Sequence, residues 1–123
     1  MAGFLVGAVT LFFFGMGMVA LAQPERIVRY FGTTELTVDG RNEVRAVYGG
    51  FGIVVAGLLA FTFTGTALAT GILATLAVSL IGMASGRIVS RLIDGAIGLY
   101  PALFIAVELG LAAALLFAAL GRT

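Results

Sequence analysis

Residues 3–22 read GFLVGAVTLFFFGMGMVALA, twenty consecutive positions without a charge. As a helix rising 1.5 Å per residue this run extends roughly 30 Å, the thickness of a bilayer's hydrocarbon core. Three further runs of similar length follow at about 44–64, 67–86 and 97–120, the last broken only by Glu108. Lipid offers no partner to backbone amides and carbonyls, so such runs cross it as helices. Composition agrees, with 61% hydrophobic and 11% charged residues, where soluble domains carry roughly 45–50% and about 25%. The mean hydropathy is +1.16. The fold class this predicts is an all-α integral membrane protein. A four-transmembrane-helix bundle forms a single membrane domain over residues 1–123, with short connections and one amphipathic interfacial segment in the polar connection 23–42.

The missing residue types exclude much. His, Cys, Lys and Trp do not occur. Thiolate and imidazole metal sites, disulfides and the usual haem ligands are therefore ruled out, as is a Ser-His-Asp triad. A net charge of +1 without a basic run gives no reason to expect nucleic acid. No cofactor and no metal are expected.

Ala20-Leu21-Ala22 resembles a signal-peptidase site, but no Lys or Arg precedes the run, which is longer than a usual signal core; a retained helix is expected. Pro24 suits the first turn of a short helix that keeps Arg26 and Arg29 in water and rests Ile27, Tyr30 and Phe31 in the interface. Gly32 ends it, and Asp39 or Asn42 can cap the next helix. In the second span Arg45, Gly49, Gly52, Ala56 and Ala60 fall on one stripe, with Tyr48 beside it. In the third, Gly71, Thr75, Ser79, Gly82 and Gly86 form another. Small residues let helices approach closely in lipid, so both stripes are candidate packing faces. Asp94-Gly95 signals a turn, and Pro101 marks the first turn of the last span. Phe12, Phe13 and Phe14 wrap around their helix and read as lipid contact or core.

Four spans put both termini on one side. The opposite connections hold Arg26, Arg29, Arg41, Arg45, Arg87 and Arg91, and the terminal side holds Arg122 alone. The positive-inside rule then places both termini on the non-cytoplasmic side of a bacterial inner membrane. Basic residues at such an edge also touch lipid phosphates. A short echo links Arg26-Ile27-Val28-Arg29 with Arg87-Ile88-Val89-Ser90-Arg91; chance explains it better than a duplicated hairpin does.

Glu108 is the sharpest single signal, since a carboxylate inside a membrane helix needs an interior position and a partner. Arg45 is the first candidate, with Tyr48 bridging the remaining distance, and Arg87 is next. On this pairing Glu108→Gln is better tolerated than Arg45→Ala. Two readings stand for the cluster: a ligand, proton or ion site, or a buried pair that fixes helix register. Arg91 and Asp94, three residues apart, add a further polar pair.

Asn42-Glu43-x-Arg45-x-x-Tyr48-Gly49-Gly50, Gly86-Arg87, Asp94-Gly95 and Glu108 together resemble the pattern of a bacterial domain-of-unknown-function family, number 4345. The resemblance covers most of the chain from Asn42 onward. It implies small four-helix membrane proteins with Arg45, Tyr48, Arg87, Asp94 and Glu108 as the signature, and it supplies no activity. The family's usual proline soon after the Asp-Gly turn is displaced here to Pro101.

The first functional expectation is a non-enzymatic accessory or assembly subunit, or a homo-oligomer, packing other integral membrane subunits or itself through small-residue faces. The second is a small transporter or binder of a lipophilic molecule (lipid, quinone or cation) that uses Glu108. An enzyme acting on a lipid comes third, because no spacing demands it.

Overall fold

The computed structural model describes Met1–Thr123 and is helical almost throughout. Helix α1 spans Ala2–Ala22, and the chain turns at Gln23 into a short α2, Pro24–Val28, followed by a 3-10 turn at Arg29–Phe31. Gln23 has φ −139° and ψ 73°. A residue before proline is driven out of the helical region, so Pro24 both ends α1 and starts α2. Gly32, at φ +80°, then stops the connector in a conformation that suits glycine.

Helix α3, Val38–Val44, runs without a break through a π-helical segment, Arg45–Gly50, into α4, Phe51–Phe61. The cap is Thr37, whose Oγ1 accepts from the Gly40 amide at 3.0 Å, rather than Asp39 or Asn42. The helix thus begins in the polar segment, six residues before the apolar run. A 3-10 turn at Thr62–Thr64 and Gly65, at φ +76°, lead to α5, Ala69–Asp94. Gly95, also at φ +76°, breaks that helix, and α6 covers Leu99–Leu120. Four helices, Ala2–Ala22, Val38–Thr64, Ala69–Asp94 and Leu99–Leu120, are long and apolar enough to cross a membrane. Their outer faces present Phe4, Leu11, Val78 and Leu109 as exposed side chains. Such a belt suits lipid and would be an aggregation hazard in water.

Packing follows two different rules. Helix α1 meets the second span through glycines: a Cβ on Gly17 would come within 3.0 Å of the Gly49 carbonyl, and one on Gly52 within 3.1 Å of the Phe13 carbonyl. Together with Ala56, Gly49 and Gly52 are the close-packing face expected of that stripe. Helices α5 and α6 pair instead through a Leu/Ala face, with Leu73, Ala77, Leu80 and Ala84 on one side and Ala112, Leu115 and Ala119 on the other. The small-residue stripe of α5 is therefore turned outward. A Cβ on Gly82 or Gly86 would meet nothing within 4 Å, so inside this chain neither packs against another helix. Four residues link α5 to α6, and so short a connection makes the two helices antiparallel neighbours, with the larger Leu side chains of α5 in the seam.

Two buried clusters result. The larger, with Val6, Val9, Phe13, Val55, Leu59, Leu73, Leu80 and Leu115 among its members, fills the half of the bundle near both termini. The smaller, Ala20, Ile27, Val28 and Val44, seats the connector on the opposite end. At the terminal end Arg122 Nη2 donates to the Thr62 carbonyl at 3.4 Å. The other six arginines belong to the connector end.

A candidate ligand-binding cavity

Arg87 lies seven residues past Leu80 on α5, and Glu108 lies seven before Leu115 on α6. Seven residues are two helical turns, so both side chains continue the buried seam of the antiparallel hairpin. There they form a forked pair. Arg87 Nε donates to Glu108 Oε1 and Oε2, each at 3.0 Å, and Nη2 donates to Oε1 at 2.8 Å. The guanidinium carbon also stands 5.3 Å from the centre of the Phe104 ring, one turn from Glu108 on the same face. The Glu108 side chain retains 6% exposure and the Arg87 side chain 22%. Arginine's planar fork matches a carboxylate in this way, and no lysine could reproduce it.

Arg45, the first partner expected for Glu108, is elsewhere. Its Nε donates to the Leu21 carbonyl at 3.0 Å. Leu21 is in the last turn of α1, where carbonyls have no helical partner and the dipole is negative, so a guanidinium is well placed. The glycine contacts hold the second span against α1, and that puts Arg45 beside the end of α1. The expected Arg91–Asp94 pair is also absent: Arg91 Nη1 donates to the Gly95 carbonyl, and the exposed Asp94 makes no ion pair. Arg41 approaches Glu25 at 3.8 Å.

Arg87 and Glu108 open onto a cavity of about 810 Å³ between the two buried clusters. Phe13 and Leu80 floor it from the larger cluster, and Ile27 belongs to the smaller. All four spans and the connector contribute, and sixteen of its nineteen lining residues are hydrophobic. That volume falls within the roughly 300–1,000 Å³ of small-molecule sites, whose few polar groups fix orientation.

Tyr48 reaches the cavity from the π-helical segment Arg45–Gly50. An extra residue in one helical turn rotates the side chains on either side relative to each other, and such bulges recur at functional sites. Its ring faces Phe31 at 6.3 Å, Phe31 faces Phe104 at 6.2 Å, and Tyr30 contacts both Phe104 at 6.0 Å and Tyr100 at 5.1 Å. These rings tie the connector to the second span and to α6. Sequence reasoning placed Tyr30 and Phe31 in the interface but gave no role to Phe104 or Met83, both cavity-lining. The position of Phe104, four residues before Glu108, was the signal available for it. Of the phenylalanine run, Phe12 and Phe13 line the cavity and Phe14 is exposed.

The profile described as "Domain of unknown function (DUF4345)" matches residues 1–119. The chain belongs to the DUF4345 family. No curated protein and no solved structure matches it. This DUF4345 protein is thus a four-helix membrane bundle in which a buried Arg–Glu pair and an apolar cavity share one wall.

Proposed function

We propose that this DUF4345 protein binds a lipophilic small molecule inside its bundle, as a carrier or a small transporter, and catalyses no reaction. The observation that carries this is the forked Arg87–Glu108 pair standing in the wall of an apolar cavity of about 810 Å³. A pair needed only for helix register gains nothing from standing beside such a space, where its neighbours Met83 and Val47 are left about half exposed. The test is purification from native membranes in a mild detergent, followed by mass spectrometry of the extracted lipophiles. One compound is expected near one copy per chain. In Met83→Trp, which narrows the cavity, its occupancy is expected to fall about tenfold or more, equal to about 1.4 kcal/mol of binding. Bulk lipids alone, in bulk proportions and unchanged in Met83→Trp, would count decisively against the reading.

A second reading is favoured by one observation. The outward stripe of α5, with Gly82 and Gly86 open to contact, suits another membrane helix, as an accessory subunit or a second copy would supply. Mild-detergent purification that yields a monomer with no stoichiometric partner removes it.

We further infer residence in a bacterial inner membrane, with the arginine-rich end in the cytoplasm. Six of the seven arginines lie at that end, and arginine and lysine set orientation while acids contribute little. The chain has no cysteine, so single replacements report cleanly. Thr66→Cys is expected to react with an impermeant maleimide in intact cells whose outer membrane has been opened, and Thr34→Cys only after the inner membrane is breached. The reverse pattern inverts the assignment.

A further inference from the structure

We infer that the cavity selects a neutral lipophile bearing a carbonyl-type hydrogen-bond acceptor, held by Nη1 of Arg87. This rests on the binding reading above and adds the polarity of the ligand. Both oxygens of Glu108 accept from Arg87, and its side chain is almost wholly covered, so the acceptor half of the pair is turned away from the cavity's space. The donor half is not. Nη1 donates to nothing within the chain, and no buried side-chain nitrogen or oxygen lacks a partner, so Nη1 lies on the accessible part of a side chain that lines the cavity. The hydroxyls of Tyr30 and Tyr48, in the same wall, also make no hydrogen bond within the chain. Arg87 Nη1 can only donate, and the two hydroxyls can donate beside it as well as accept, so the one charged group left open in the wall is a donor.

Charge narrows the class further. A lipophilic cation would meet the Arg87 guanidinium before the covered carboxylate, so that repulsion opposes whatever the aromatic faces offer it. An anion would be drawn to Arg87 but would stand beside Glu108, in a pair already neutral, and would bring an uncompensated charge to membrane depth. An uncharged carbonyl takes the spare N–H without either penalty. Two sources share that chemistry, a quinone ring and a glyceride ester. The rings of Tyr30, Phe31 and Tyr48 offer flat faces to the first and plain apolar surface to the second.

The experiment places the purified protein in phosphatidylcholine nanodiscs containing one probe at a time at equal mole fraction. The probes are decylubiquinone, dioleoylglycerol, dodecyltrimethylammonium and dodecyl phosphate, and retention is read by native mass spectrometry. At least one neutral carbonyl probe is expected to be retained about tenfold over both charged ones, a difference of about 1.4 kcal/mol. Decylubiquinone ahead of dioleoylglycerol identifies a planar ring, and the reverse an ester lipid. The Arg87→Met/Glu108→Met variant keeps similar apolar volume and is expected to lose the preference. If that variant does not fold, the wild-type ranking decides alone. A charged probe retained best, or neutral probes retained equally by the folded double variant, overturns the assignment and leaves the binding reading standing. So does retention of no probe when native membranes do yield a bound lipophile. No probe retained and no native lipophile overturns the binding reading itself.

Discussion

Arg87→Ala is expected to destabilise the bundle by about 3–5 kcal/mol, the range for removing one partner of a buried ion pair. It strips all three hydrogen bonds from Glu108, whose side chain is only 6% exposed, and leaves a carboxylate among apolar side chains. Glu108→Gln is expected to be milder, about 1.5–3 kcal/mol, because the amide oxygen still accepts from arginine and one hydrogen bond to a charged group is worth about that much. Arg87 is also the more forgiving partner to leave unbalanced. It keeps the Phe104 ring, and its long stem lets the charge move toward the interface. Arg87→Met/Glu108→Met is expected to lie close to wild type, since an apolar pair of similar volume often replaces a buried ion pair at no loss. Arg45→Ala removes one hydrogen bond from an exposed residue and is expected to cost about 1 kcal/mol. Unfolding in detergent, followed by loss of helicity as sodium dodecyl sulfate is added, ranks the four variants. Arg87→Ala no worse than Arg45→Ala would mean that the pair does not hold α5 to α6.

The second large effect belongs to the α1 contact. A Cβ on Gly17 would lie 3.0 Å from both the Gly49 carbonyl and the Ile53 amide nitrogen, and backbone yields only if the helices part. Gly17→Ala and Gly52→Ala are each expected to cost about 1–3 kcal/mol, the usual penalty of overpacking, and leucine at either position more. Gly49→Ala meets Leu21 Cδ2 at 2.7 Å and Cγ at 2.9 Å, so the whole Leu21 side chain must move aside, and a cost in the same range of about 1–3 kcal/mol is expected. Gly82→Ala and Gly86→Ala meet nothing and are expected to be neutral or to gain up to about 1 kcal/mol from helix propensity. The same denaturant titration measures all five. Equal losses at Gly17 and Gly82 would contradict the packing described.

The spans were legible because run length and the absence of charge are local properties, and in lipid they leave the backbone no alternative. The interior position of Glu108 was legible for the same reason of cost. Its partner was not read correctly, although the signal existed. Arg87 lies eight residues before Gly95 and Glu108 ten after Gly98, so folding the hairpin at that short turn brings them nearly level. Arg45 looked better because it heads a small-residue stripe, but the stripe identifies α1 as its neighbour through Gly17, a residue whose importance no spacing within α1 announced. The stripe of α5 faces outward within this chain, because glycines permit close approach without requiring it. Thr37 was overlooked as a cap because the apolar run starts later than the helix. The cavity itself has no local signature. It arises because the large cluster packs one half of the bundle, the connector closes the other end, and Phe12, Tyr48, Met83 and Phe104 come together from separate elements.

The most direct test is photoaffinity labelling of the protein in nanodiscs with a diazirine-bearing neutral carbonyl lipophile, with the labelled residues mapped by mass spectrometry. The expected result is labelling concentrated on the cavity-lining Tyr48, Phe51, Met83 and Phe104, suppressed by excess unlabelled lipophile and lost in Met83→Trp. Labelling spread over the outward residues Phe4, Leu11, Val78 and Leu109, unsaturable and unchanged by that substitution, would show a bundle that lipid merely surrounds.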